Sequence, residues 1–477
     1  MEVLVLRSTC EEPETMMSSL HDSNRTLRGL ALVLIPVAWL TACTSTTDSS
    51  GSCRTVANCL LDTAPICDAA TLSCRACTMG ADDTACKNGR PSTPRCGPQG
   101  SCVACITNSD CASRDLRKPT CRSNACTSCR TALDCQSKLC SADGSCAPVS
   151  EVLYVDNKNG SCTGSDHRGS IDDAFCTLQD ALTAVTSGGK TLISVAPSSK
   201  SYAALKLTGT DTLTSLTIAG GGSKPADTRI EGASGESAIA VIGGTSKLSV
   251  SVRNLELQGG SGKAGVSCEM GAELSVSGVR IHDSGTDGIF ANGCTLSVDS
   301  SQLFANKASG LLISGSTYSL SNLMIWNNTI VGIAFGGSSS GTMRFLTVYG
   351  NGTQTGSATP GIDCGASPLV VEHSIVFDNL LRASGGNISL DQQLTGCMLS
   401  NVVTNDKVIS GSIYKTAVDF VQPAGDTASI DLHLIKDSPK NRDCCVDKVQ
   451  QSPVSYDFDG TARPQGPAAD VGAHEVQ

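Results

Sequence analysis

Between residues 265 and 379 three kinds of position recur in one phase. Gly-aliphatic pairs fall at Gly265-Val266, Gly288-Ile289, Gly310-Leu311, Gly332-Ile333 and Gly361-Ile362, in steps of 23, 22, 22 and 29 residues. Aliphatics at Ile281, Leu303, Ile325, Val348 and Val376 step by 22, 22, 23 and 28. Ser284, Asn306, Asn328, Asn351 and Asn379 step by the same four intervals. Three series that keep one phase and share one insertion define a solenoid of short rungs. The insertion falls in 351–360, a loop at one corner. The aliphatics are expected to stack inside successive coils. The glycines are expected at turns whose backbone conformation is closed to most L-residues. Asn306, Asn328, Asn351 and Asn379 are expected in tight left-handed turns, bonded to one another along the axis as an Asn ladder.

One residue past each core aliphatic stand His282, Phe304, Trp326, Tyr349 and Phe377. Strand side chains alternate between faces, so these rings are expected to point outward. With coils about 4.8 Å apart they form an aromatic stripe, a candidate ligand surface for sugar faces or a packed partner. Two other outcomes stay open: an internal aromatic stack, or a cover formed by the 351–360 loop or the C-terminal tail.

Upstream, a β pattern begins at Val152-Leu153-Tyr154-Val155-Asp156. Apolar residues at 178, 181, 182 and 185 predict a short amphipathic helix near 177–186, and Leu192–Pro197 reads as the first strand. Cys162 and Cys176 bracket a polar loop and are expected to pair, closing a loop worth about 3 kcal/mol in the chain-entropy model.

Residues 53–148 read differently. Their cysteines group as 53, 59, 67, 74; 77, 86, 96, 102; 105, 111, 121, 126; and 129, 135, 140, 146, with Cys-x-x-Cys joining each group to the next. Hardly an apolar residue lies between them, so cross-links must hold the shape. Zinc is the competing reading of Cys-x-x-Cys pairs, but the segment has no histidine. Connectivity within each group stays open.

At the N-terminus Arg25 and Arg28 precede an apolar run, Gly29–Leu40, too short for a bilayer that needs roughly 20 apolar residues. It has the length and flanks of a secretory segment. Residues 1–42 are expected to be the signal, with 1–15 lying upstream of its true start. Thr-Ser-Thr-Thr-Asp-Ser-Ser-Gly-Ser at 44–52 is too polar to fold and reads as a tether. Of 26 cysteines, setting aside Cys10 and Cys43 leaves 24, an even number for an oxidising compartment. Aromatics are only 3% and glycines number 48, which suits a repetitive β architecture. A net charge of −10 argues against nucleic acid as a partner.

Four stretches resemble known families. Leu40-Thr41-Ala42-Cys43 resembles the lipobox of bacterial lipoproteins, which implies lipid attachment at Cys43. Thr44 follows, where aspartate would imply retention at the inner membrane, so the resemblance points to the outer membrane. The module resembles the short Cys-rich repeats that precede β-helices in secreted bacterial proteins. Tyr154-Val-Asp156 followed by Cys176-Thr-Leu-Gln179 resembles the start of right-handed parallel β-helices, pectate-lyase-like solenoids whose helix plugs the open end. The order Asp457-Phe-Asp459-Gly460, Arg463-Pro464-Gln-Gly466, Asp470-Val-Gly472-Ala473-His-Glu475 resembles the closing segment of bacterial β-helix surface proteins. The chain departs from that family at Lys440-Asn441-Arg442, where a small apolar pair normally precedes Asp443. The fold implied is all-β: a β-helix over 152–425, closed by 426–477. Vicinal Cys444 and Cys445 are expected not to bond each other, because the ring is strained.

Three functions compete: a binding or adhesive envelope protein, a structural envelope component, and a polysaccharide lyase, hydrolase or epimerase. An enzyme needs clustered acids and bases on one outer face. The local candidates are His282, Asp283 and Asp287, yet Asp283 and Asp287 flank turns where such residues have local roles. Neighbouring rungs offer Ala305, Ser309, Asn327 and Val331 at equivalent places. No metal-ligand cluster, phosphate loop or cofactor motif stands out. The expectation is therefore a monomeric, lipid-anchored binding protein whose ligand is a polysaccharide or an envelope protein.

Overall fold

The computed structural model describes residues 53–477 except 54, 57–58, 142, 159–167, 353–358, 366–368, 383–387, 390–392 and 407–409. The signal segment, Cys43, the tether and Cys162 lie outside the described residues. Cys176 is disulfide-bonded, but its expected pairing with Cys162 falls outside them too.

The repeat folds as a right-handed parallel β-helix of about 8 turns, preceded by a disulfide-rich region. Each coil visits three parallel sheets in turn. The coil starting at Val266 runs through Val266–Glu269, Glu273–Ser277 and Arg280–His282 before Ile289–Asn292 begins the next. Among the described residues the first sheet holds 8 strands and the other two hold 10 each. Ile281, Leu303, Ile325 and Val348 stand in register with Val376 closing the row, all fully buried. Period and phase read from the sequence thus become a continuous aliphatic column.

The helix spans Leu178–Gly188 with Thr177 as its N-cap, whose side chain accepts from the Asp180 amide. Leu178, Ala181, Leu182 and Val185 are buried against the first coils. The first solenoid strand is Val152–Val155, not the segment at Leu192, because it pairs in parallel with Leu192–Val195.

Two expectations about turns need correction. Positive φ falls one residue before the ladder, at Asp283, Ala305, Asn327, Gly350 and Asp378. Gly310 and its equivalents do not have positive φ; space makes them glycine. A Cβ on Gly310 would lie 2.6 Å from the Gly332 carbonyl oxygen and 2.7 Å from Ile325 Cγ2. The Asn ladder itself forms. Asn306, Asn328 and Asn351 each donate from Nδ2 to the Oδ1 of the next, at 2.9 Å, and Asn379 continues to Gln393 at 3.2 Å.

In the module each cysteine quartet closes on itself, first to third and second to fourth. The pairs are 53–67 and 59–74, 77–96 and 86–102, 105–121 and 111–126, 129–140 and 135–146. Leu139 and Ala147 pack with Val152, Tyr154 and Ala219, seating the module's last quartet on the first coils. Further disulfides join Cys268 to Cys294 and Cys364 to Cys397. Cys444 and Cys445 are bonded to each other, contrary to expectation, at the end of helix Pro439–Cys444.

Candidate functional site

The ring stripe sits where alternation puts it, on the outer face of the third sheet, and it is covered. His282 stacks on Phe304 at 4.7 Å and Phe304 on Trp326 at 4.4 Å. Phe304 and Trp326 are each 1% exposed and Phe377 3%. Over them lie Phe420, Ile430, Leu432, Leu434, Val449 and Val471 of the closing segment, in one apolar cluster. Trp326 Nε1 donates to the Thr427 carbonyl at 3.1 Å, and the half-buried Tyr349 meets Phe420 edge-on. The stripe therefore offers no open ligand surface; it is the seam between coil and closing segment.

The acid–base candidates are likewise engaged in structure. His282 Nδ1 bonds Asp283 at 2.8 Å, and its Nε2 lies 3.5 Å from Glu256. Glu256 also pairs with Arg229 at 2.8 Å and Arg280 at 3.2 Å. Burial alone would raise the Glu256 carboxyl, but the neighbouring His282 ring and Arg229 outweigh it and hold it down at about 2. Asp283 occupies the left-handed turn position. Asp287 is buried, which pushes its carboxyl up, and it accepts the Ser309 amide of the next coil at 3.0 Å. His282 and Asp287 thus reach neighbouring coils, while Asp283 bonds His282 from the turn of the same coil.

The C-terminal motif is a buried knot of hydrogen bonds. Arg463 pairs with Glu475 at 3.0 Å and donates to the carbonyls of Asp470, Gly472 and Ala473. Its guanidinium lies 4.2 Å above the Phe345 ring of the coil. Asp457 accepts the amides of Asp459, Thr461 and Glu475. Within Lys440-Asn441-Arg442, Asn441 is fully buried and its side chain bonds Asp419 and Ile435 backbone groups.

A cleft of about 820 Å³ opens on the outside of the solenoid. One wall is the last module quartet, including Arg130 and Asp143; the floor carries Lys224, Arg253 and Arg280; the far wall is Tyr456–Gly460. Arg253 donates to the Cys140 carbonyl at 2.6 Å, and among the described residues no carboxylate pairs with it. Burial pulls its guanidinium below the ordinary value, with Asp143 opposing. Arg280 Nε is buried without a hydrogen-bond partner. Tyr456 is 59% exposed on the rim. Sequence reading missed the cleft because its residues come from three distant stretches with no shared motif.

Behind the far wall lies a second group missed for the same reason. His433 bridges Asp431 at Nδ1 and Asp459 at Nε2. Burial opposes its charge, but the two carboxylates prevail and lift it to about 9. His474, next to it, is pushed down to about 4 by burial and by the His433 cation.

A family model described as a right handed beta helix region matches residues 264–420. No curated protein matches the chain. Among solved structures, pectate lyase Pel9A is 15% identical with a TM-score of 0.43, covering 68% of this chain and 96% of its own. A rhamnogalacturonan lyase is 12% identical with a TM-score of 0.28, covering 55% and 84%. The pectin methylesterase of Aspergillus niger is 13% identical with a TM-score of 0.24, covering 60% and 94%. Identities this low speak to fold alone. The 157-residue match, read with the three stacked sheets, identifies the repeat region as a right-handed β-helix.

Proposed function

We propose that this chain is a non-catalytic binding protein of the bacterial envelope, and that its cleft holds an acidic polysaccharide. The observation that carries the reading is Arg253, a half-buried cation that lines an open groove, bonds the Cys140 carbonyl and, among the described residues, makes no ion pair with a carboxylate, only a longer-range attraction to Asp143. Arg130 and Lys224 add positive charge there against Asp143 and Asp459, with Arg280 paired to Glu256, on a chain whose net charge is −10. Cations focused in a cleft attract anionic chains, and the exposed Tyr456 ring suits a sugar face. Turnover is not expected, because His282 is engaged by its neighbour Asp283 and by Glu256, and Asp287 is bonded to the next coil.

The test uses the exported chain with disulfides intact, against polygalacturonate and a neutral glucan of matched length. Wild type should retain the acidic polymer, more weakly as salt rises, and release no shortened product. Reversing the exposed Arg130 and Lys224 together to Glu should weaken retention by roughly tenfold or more. Equal retention of the neutral glucan, or chain cleavage, defeats the reading.

The lipobox and the quantity of disulfide support display at the outer membrane through Cys43. Changing Cys43 to Ala should abolish fatty-acid labelling and move the protein from the membrane to the soluble fraction. Equal labelling of both forms counts against the anchor.

A further inference from the structure

Two histidines and a carboxylate from separate stretches converge behind the cleft. His433 Nε2 lies 2.9 Å from Asp459 Oδ2, and the His474 ring meets His433 edge-on at 4.6 Å. One donor atom from each of the three lies within 4.8 Å of the others. We infer that His433, Asp459 and His474 form a binding site for a divalent transition ion of the zinc class.

Donor chemistry is the first argument. Two imidazole nitrogens and one carboxylate oxygen form a set that zinc and its neighbours take, with a fourth position left open. His433 Nε2 and Asp459 Oδ2 stand 2.9 Å apart. Two ligands about 2.0–2.1 Å from one ion at a tetrahedral angle stand about 3.3 Å apart, so this pair must open by a few tenths of an ångström to admit the ion. The second argument is the outer partner. Asp431 engages His433 Nδ1, the arrangement that fixes an imidazole so that Nε2 faces an ion.

His474 sets the main condition. Its Nδ1 accepts the Leu434 amide at 3.1 Å, so a neutral ring carries its proton on Nε2. Ligation through either nitrogen therefore ends that hydrogen bond, since Nε2 is free only once the proton has moved to Nδ1. The ion must displace one backbone bond and draw the His474 ring inward. In exchange it ties strand Asp431–Leu434 to the Asp457–Gly460 turn and to the C-terminal residues. Asp459 also lines the cleft. The rival arrangement is a metal-free ion pair in which protonated His433 alone bridges Asp431 and Asp459.

The inference stands apart from the polysaccharide reading, and its test needs no glycan. The exported chain, disulfides intact, is stripped with chelator and titrated with Zn²⁺ in a calorimeter, with melting followed in parallel. One equivalent should bind, protons should be released, and the melting temperature should rise. His433→Ala and His474→Ala should abolish the effect, while Asp431→Asn weakens binding about 10–100-fold. Asp459→Asn alters an exposed side chain, so it tests the site even if a histidine variant misfolds. Absence of saturable binding by wild type overturns the proposal. So does binding that survives Asp459→Asn unchanged.

Discussion

Replacing Arg463 with methionine is expected to destabilise the closing segment by roughly 3–5 kcal/mol, the usual consequence of stripping one partner from a buried ion pair. Methionine keeps much of the stem but leaves Glu475 charged and buried, and it deprives the Asp470, Gly472 and Ala473 carbonyls of donors. It also removes the cation held over Phe345. The segment would then separate from the coil and expose Phe304, Trp326 and Phe377. Limited proteolysis should cut near 415–477 while the coil stays intact, and Trp326 should become quenchable by iodide. Lysine should not rescue, because a single ammonium lacks the planar fork that reaches several acceptors at once. A melting curve and proteolysis pattern unchanged from wild type would show that the knot is decorative.

Asn328→Ala is the second large effect. The side chain accepts from the backbone amide and Nδ2 of Asn306, and donates to the Leu303 carbonyl and to Asn351 Oδ1. Alanine strands the buried Asn306 amide and one hydrogen of Asn306 Nδ2, whose other bond is to the Ile281 carbonyl, each costing about 1–3 kcal/mol, and takes one donor from the Leu303 carbonyl. A loss of roughly 3–6 kcal/mol is expected, read as the shift in a denaturant midpoint at unchanged slope. Ser284→Ala, at the ladder's end, strands only the Gly259 amide and should cost far less. Equal losses at the two positions would mean that the ladder is not cooperative.

These two sites mark the limit of what the residue pattern reveals. The coil was legible because its hydrophobic column repeats every 22 or 23 residues, and the Asn series shares that phase. The outward direction of the rings followed from alternation. Their cover did not, because the 420–476 segment has no period linking it to that face; only folding brings Leu432 and Val471 over Trp326. Glycine misled for a related reason. Its two roles, positive φ and close approach, look alike in sequence, and Gly310 has the second. The Cys444–Cys445 bond contradicted a general steric expectation that held no information about this turn. The cleft and the His433 group were hidden because their residues meet only after the module and the closing segment dock on the same side of the coil.

The pairing inside the module bears on how its disulfides would form in the exported protein proposed above. Four cysteines allow three connectivities, and no bond here crosses from one quartet to the next. A chain threading N-terminus first out of the membrane presents each quartet complete before the next arrives. Oxidation can therefore proceed vectorially, with wrong partners still on the far side. Because each unit is sealed, whole quartets can be gained or lost in evolution without rewiring the rest.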